Sequence, residues 1–362
     1  MKFYILAATC LIAAACATTE TKKDYASMSD DALRGVADSL AHAYIITDGH
    51  VDLPFRLKVK NFRLEREYMN IPVQSAEGDF DFERARKGGL DAPFMSIYIP
   101  SRYQRTGGAK ELADSLITMV RGIAEGIPDK FALAGTPDEV TANFEAGKIS
   151  LPMGMENGAP IGDDLANVKY FYDRGIRYIT LTHGKDNQIC DSSYDTTRTW
   201  NGLSPFGVQV VDAMNRAGIM VDVSHVSDSA AAQAMRLSKA PVIASHSSCR
   251  YFTPGFERNM SDDLLKQLGK NGGVIQINFG ASFLDSVARQ NSELRDSLQK
   301  ILEEKHLTSK DSEAQPIIEL FGKQHKELFS DVEKVADHID HVVKLIGIDH
   351  VGIGSDFDGV GR

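Results

Sequence analysis

Short apolar or β-branched runs alternate with amphipathic stretches along most of this chain. The runs are YIIT (44–47), APFMSIYI (92–99), LPMGM (151–155), IRYITLT (176–182), GIMVDVS (218–224), APVIAS (240–245), GGVIQINF (272–279) and HVGIGS (350–355). Helical patterns such as ELADSLITMVRGIAEGI, DDLANVKYFYDRG, FGVQVVDAMNRAG, SDSAAAQAMRLS and SDDLLKQLGKNGG lie between them, and several stop at glycine, the residue that terminates helices in the left-handed conformation. Strands separated by helices imply βαβ units and a parallel sheet. Eight strands in that rhythm predict an α/β fold, a closed (β/α)₈ barrel of the TIM type, rather than an open doubly wound sheet. The absence of GxGxxG after the first run weakens the dinucleotide-binding alternative.

Two stretches depart from the rhythm. Residues 281–315, dense in charge, read as a helical insertion after the seventh strand, and 316–346 read as one long helix leading into the eighth. Arg362 comes seven residues after Ser355, so the reading expects a barrel truncated before its final helix. At the other end, Met1-Lys2, the apolar run FYILAATCLIAAAC and the polar ATTETKKD describe a secretory leader rather than a membrane span. Cys16 after Ala13-Ala14-Ala15 resembles a bacterial lipoprotein cleavage site, with plain cleavage in the Ala-rich stretch as the alternative. The division that follows is a signal peptide over 1–16, an extension over 17–40 and a barrel domain over 41–362. The expected location is outside the cytosol, in a bacterial envelope or periplasm, with a lipid anchor on Cys16 as the one route to a membrane.

Composition changes this picture little. The chain is 43% hydrophobic and 25% charged, an ordinary globular balance. A formal charge of −10, from 50 acidic and 40 basic residues, speaks against nucleic acid, whose phosphates demand clustered Lys and Arg. Beyond the leader only Cys190 and Cys249 remain. They could pair, or stand as two free thiols near the loops of a site.

The chemistry is concentrated where the strands end, the face on which catalytic groups of such barrels gather. DGHVD gives His50 and Asp52, which alternation along a strand points the same way. GMENG gives Glu156, TLTHG gives His183, VDVSH gives His225, VIASH gives His246, and GIGSDFDG gives Asp356 and Asp358. Singly, each has a plain structural explanation. Together, imidazoles and carboxylates without thiolate suit zinc in an open, catalytic site, and too many converge for one ion. Glu156 is a carboxylate able to bridge two. The remaining histidines fall elsewhere: His42, His306, His325, His338 and His341 read as solvated helix surface, and His350 begins the last strand at the wrong barrel end.

At these residues the sequence closely resembles the membrane (renal) dipeptidase family, a branch of the amidohydrolase-type barrels. The likeness runs from about residue 44 to the end and rests on DGHVD, RARKGGLDAPFMSIY, GMENG, YITLTHGKDN, VDVSHVS, APVIASHSS, ERNMSDD and GIGSDFDG. The HxD opening, in place of HxH, and the lack of a bridging lysine are features of that branch. The resemblance implies that His50, Asp52 and Glu156 hold one Zn²⁺ and that Glu156, His225 and His246 hold a second. It assigns His183 to the substrate carbonyl or oxyanion, Arg258 to the dipeptide's free carboxylate, and Asp356 to the proton of the bridging water. Asp358 reads as a helper that orients a loop or ligand. The implied activity is metal-dependent hydrolysis of dipeptides.

For Arg258 the residues alone also allow a salt bridge to Asp262 or Asp263. A related amidohydrolase or N-acyl-amino-acid deacylase would use the same centre and differ around Arg258 and the loops near 56–80 and 101–108. A non-catalytic envelope binding protein would keep the barrel and lose a ligand, and none is lost. The expected partners are therefore a small dipeptide and, as an assembly left open, a homodimer.

Overall fold

The computed structural model describes residues 25–59, 72–309, 311–325 and 329–360. The expected leader lies outside the described residues, as does part of the 56–80 loop. Ala41–Arg362 forms one compact unit, distinct from the residues before it.

Within that unit the strands are β1 (Ile46–Val51), β2 (Leu90–Tyr98), β3 (Phe131–Leu133), β4 (Ile149–Leu151), β5 (Met153–Glu156), β6 (Ile176–Thr180), β7 (Met220–Asp222), β8 (Ile243–Ser247), β9 (Val274–Ile277) and β10 (Val351–Ile353). Eight of them close a barrel in the order β1-β10-β9-β8-β7-β6-β5-β2, every pairing parallel, while β3 and β4 pair apart. The predicted barrel is thus observed. The run LPMGM is not one strand: Pro152, which has no N–H to give a ladder, separates β4 from β5. The side pair went unpredicted because three-residue strands carry too little periodicity to read.

Burial on both faces explains why the barrel strands read as continuous apolar runs. Met95, Ile97, Met155, Ile179, Val221, Ala244, Ile275 and Ile277 are all buried. Outside them, the helix Ala109–Gly126 buries Leu112, Leu116, Val120 and Ile123, one face at helical spacing. Helix starts follow their side-chain caps: Thr136, Ser204, Ser227 and Ser261 each accept a backbone N–H three residues on. Gly218 and Gly272 end two helices in the left-handed conformation.

The insertion after β9 is helical, as expected, with Ala281–Leu284 and Ser286–Glu304. The single long helix expected over 316–346 is two, Gln315–Gln324 and Val332–Ile346, the second restarting at an Asp331 cap that accepts the Lys334 N–H. Register then sets the height of the site: Tyr98 pairs with Glu156, Glu156 with Thr180, and Thr180 with Asp222.

Candidate metal centre

Each predicted ligand sits at the C-terminal mouth of the barrel. His50 lies in β1 with Asp52 just beyond it, Glu156 ends β5, and His246 lies in β8. His183, His225 and Asp356 follow the strand ends Thr180, Asp222 and Ile353 by three residues each. The turns that aim them are strained: His225 (φ 68°), Asp356 (φ 61°), Asn157 (φ 84°) and Asp358 (φ 68°) all occupy the left-handed region. Non-glycine residues hold such angles only when their surroundings enforce them, and they cluster at functional sites.

Glu156 is the hub. Its Oε1 lies 3.0 Å from His225 Nε2, 3.3 Å from His246 Nε2 and 3.6 Å from His183 Nε2. Its Oε2 lies 3.4 Å from His50 Nε2, which is also 3.4 Å from Asp52 Oδ2. His225 Nε2 and His246 Nε2 are 2.8 Å apart. The other imidazole edges are held from behind: His50 Nδ1 lies 2.8 Å from the Tyr178 hydroxyl and His246 Nδ1 2.7 Å from Ser245 Oγ. Ser96 Oγ donates to Glu156 Oε2 at 3.3 Å, and Asn278 Nδ2 donates to Asp356 Oδ2 at 2.8 Å.

Burial and charge act strongly on these groups. Burial, followed by the Arg258 charge at His225 and the His50 charge at His246, holds both imidazoles well below their usual value, so both are neutral near pH 7. Burial also presses down on His50, but the acidic groups Tyr178, Glu156 and Asp52 outweigh it and raise its imidazole well above the ordinary value. Burial would raise Glu156, yet the surrounding His50 and His183 keep its carboxyl well below the usual range. Asp356 is pushed the opposite way, well upward, by burial with Asp52 and Glu156 nearby, against the opposing pull of His50.

These residues fit divalent metal ions. Ligands bound at about 2.1 Å around a tetrahedral ion stand about 3.4 Å from one another, close to the spacings around Glu156. The buried His50 Nε2, Asp52 Oδ1 and His225 Nδ1 have no hydrogen-bond partner among the described residues, and the first faces Asp52 Oδ2 and Glu156 Oε2. The ligand atoms of His50, Asp52 and Glu156 lie within 4.8 Å of one another, as do those of Glu156, His183 and His225, and those of His50, His246 and Asp356.

Comparison with known proteins fixes the family. The model of the membrane dipeptidase family, peptidase family M19, matches residues 35–362. The chain belongs to the membrane dipeptidase family. Dipeptidase verJ of Clonostachys rogersoniana is 32% identical to it over 351 residues, 92% of this chain and 77% of that protein. Among solved structures, the probable dipeptidase PvdM from Pseudomonas aeruginosa aligns with a TM-score of 0.75 at 26% identity, over 92% of this chain and 88% of that one. A metallopeptidase from Rhodobacter sphaeroides, solved with a phosphinate mimic of L-Ala-D-Ala, aligns with a TM-score of 0.70 at 25% identity, over 87% and 86% of the two chains.

In this family member a cavity of about 510 Å³ opens above the cluster. Asp52, Glu156, His183, His225 and Asp356 floor it, Phe55, Tyr98, Tyr194 and Phe283 wall it, and the insertion contributes Ala288 and Arg295. His183 is partly exposed there, its ring 4.8 Å from Tyr98, and burial followed by the Arg258 charge lowers its imidazole. Arg258 is buried at 3% exposure and stacks on Phe283 at 5.2 Å. Its Nη1 donates to Ser247 Oγ at 2.7 Å and its Nη2 to the His246 carbonyl at 2.8 Å. Asp262 instead engages His341, 2.8 Å away, and Asp263 lies 3.7 Å from Lys266, so neither forms the alternative salt bridge to Arg258.

Two further expectations need correction. His338 is fully buried, because its ring joins two distant segments: Cys249 N donates to Nδ1 at 3.0 Å, and Nε2 lies 3.0 Å from the Leu284 carbonyl. His341 is mostly covered through its pairing with Asp262 and stacking on Tyr251. Cys190 and Cys249 are both free and buried. Asp358 anchors a loop, accepting from Arg56 Nη1 at 2.8 Å and Asp79 N at 2.6 Å. Sequence reasoning missed Tyr178, Ser245 and Asn278 behind the ligands and the aromatic walls. Asp48 and Asp222, below two of the ligands, were missed as well; the one signal for them was an aspartate shortly before each histidine, two residues before His50 and three before His225.

Proposed function

We propose that this chain is a binuclear zinc dipeptidase. The reading is supported most by one observation: four imidazole nitrogens lie within 3.0–3.6 Å of the two oxygens of Glu156, at the mouth of a dipeptidase-family barrel. His50, Asp52 and Glu156 would hold one ion and Glu156, His225 and His246 the other. Two zinc ions so held would polarise the scissile carbonyl and acidify a water toward neutral pH.

The side chains do the rest. His183, neutral and partly exposed, donates an N–H to the developing oxyanion, a contribution of about 3–4 kcal/mol at comparable sites. Asp356 is raised by burial and its acidic neighbours, so it can take a proton and return it to the leaving amine. Asn278 keeps one of its oxygens engaged. Arg258 receives the free carboxylate: a guanidinium has five N–H donors, and two go to Ser247 and His246, leaving three. The extracytoplasmic location, the leader and the lipid anchor on Cys16 rest on residues 1–16 alone. No helix among the described residues is long and apolar enough to cross a membrane.

A deacylase for N-acyl amino acids has one observation in its favour, the aromatic walls Phe55, Tyr98, Tyr194 and Phe283. Hydrolysis of L,L and L,D dipeptides beside N-acyl amino acids, with and without chelator, separates the two. Chelator-sensitive cleavage of free dipeptides is expected. Cleavage confined to acylated compounds would establish the deacylase.

A further inference from the structure

Asp48 and Asp222 do the same structural task on different strands. Asp48 Oδ1 accepts the backbone N–H of His50 at 3.0 Å and of Ser355 at 2.9 Å, tying β1 to the end of β10. Asp222 Oδ1 accepts the N–H of Ser224 at 3.0 Å and of Ser245 at 3.0 Å, tying β7 to β8. Only Asp222 goes on to an imidazole.

Its second oxygen accepts from Thr180 Oγ1 at 2.5 Å and from Ser245 Oγ at 2.7 Å. With four donors around it, this fully buried carboxylate acts as acceptor alone. The single hydroxyl proton of Ser245 is therefore committed to Asp222. Toward His246 Nδ1, 2.7 Å away, Ser245 Oγ has only a lone pair left to offer. His246 then carries its proton on Nδ1 and presents a lone pair at Nε2, the nitrogen that faces Glu156.

A second branch leaves the same corner. Ser224 Oγ accepts the His246 N–H at 3.1 Å and lies 3.3 Å from Ser247 Oγ, which in turn accepts from Arg258 Nη1 at 2.7 Å. Asp222 clamps the Ser224 backbone, so one buried carboxylate braces both the face of His246 and the guanidinium.

We propose that Asp222 is a positioning residue of the centre: through Ser245 it fixes the tautomer of His246 for metal binding, and through Ser224 and Ser247 it registers Arg258 against that histidine. The inference rests on His246 being a metal ligand. Partners that orient a ligating histidine in this way commonly change metal affinity by about 10–100-fold when removed.

Ser245→Ala and Thr180→Val form a matched pair for the test. Each deletes one hydroxyl donor to the same oxygen of Asp222, and only Ser245 touches the imidazole. Zinc is titrated into metal-free protein against a chromophoric chelator, and the tautomer of His246 is read by ¹⁵N NMR before zinc is added. Ser245→Ala is expected to populate both tautomers and to weaken one of the two zinc sites about 10–100-fold, whereas Thr180→Val lowers the melting temperature and keeps both affinities. Equal zinc affinities in the two variants would overturn the relay. If Ser245→Ala does not fold, the wild-type spectrum decides: an N–H on Nδ1 supports the relay and one on Nε2 overturns it. A wild-type chain that takes up no zinc is a separate outcome, which overturns the ligand role of His246 and the relay with it.

Discussion

His225 Nε2 and His246 Nε2 lie 2.8 Å apart, and both reach the same oxygen of Glu156. Two neutral imidazoles pressed together in a buried site, beside a carboxylate, form an arrangement that a cation between them would stabilise. Glu156 serves His50 through its other oxygen, so both halves of the centre depend on one side chain.

Glu156→Gln is therefore expected to lower zinc uptake at both sites and to reduce kcat with it. Leaving buried neighbours unpaired also costs several kcal/mol at such positions. Metal analysis after dialysis checks it: loss of a single equivalent would show that Glu156 does not bridge.

Asp356 stands apart from that hub, with Asn278 holding one oxygen. For Asp356→Asn the account expects kcat to fall by about 10²–10⁴-fold, the usual worth of a general acid–base, with two zinc ions still bound. Steady-state kinetics paired with metal counting would expose a ligand role instead, through a lost equivalent.

A Cβ on Gly154 would sit 2.0 Å from the Tyr178 ring, whose hydroxyl is 2.8 Å from His50 Nδ1. Because pairing on both sides fixes β5, the tyrosine must yield. Gly154→Ala is expected to cost about 1–3 kcal/mol from overpacking and to weaken the site at His50. Denaturant melts and zinc titration read the two effects separately, and unchanged zinc affinity would show that Tyr178 does not anchor His50.

His338 supplies a pH dependence of its own, outside the ligand set. Burial lowers its imidazole below the ordinary 6.5, with the charges of His341 and Lys334 adding to this and Leu284 O and Asp337 opposing it. The unfolded chain therefore binds the proton more readily. Stability from this residue is whole above about pH 6.5 and is lost as pH falls from there through the depressed folded value, with a slope of at most about 1.4 kcal/mol per pH unit. His338→Gln should be less stable at pH 7.5 and show a shallower loss between pH 6.5 and 5. Parallel acid slopes in the two proteins would contradict this.

The sequence was most legible where periodicity and chemistry coincide. His50, Glu156 and His246 could be read because each ends an apolar run, and the barrel brings strand ends together whatever the loops do. His338 could not: its helix carries charge around it, and the contacts that bury it, Cys249 and Leu284, come from segments 89 and 54 residues away. The break in 316–346 was hidden for a similar reason, since helical pattern resumes on both sides of the Asp331 cap. The supporting shell of Tyr178, Ser245 and Asn278 escaped because hydroxyls and amides on strands have no pattern until register places them.

The central claim is best met by titrating zinc into metal-free wild-type protein while following hydrolysis of a free dipeptide. The account predicts no turnover without metal and a rise that levels off at two equivalents per chain. A plateau at one equivalent, or two ions bound with no dipeptide cleaved, would contradict it.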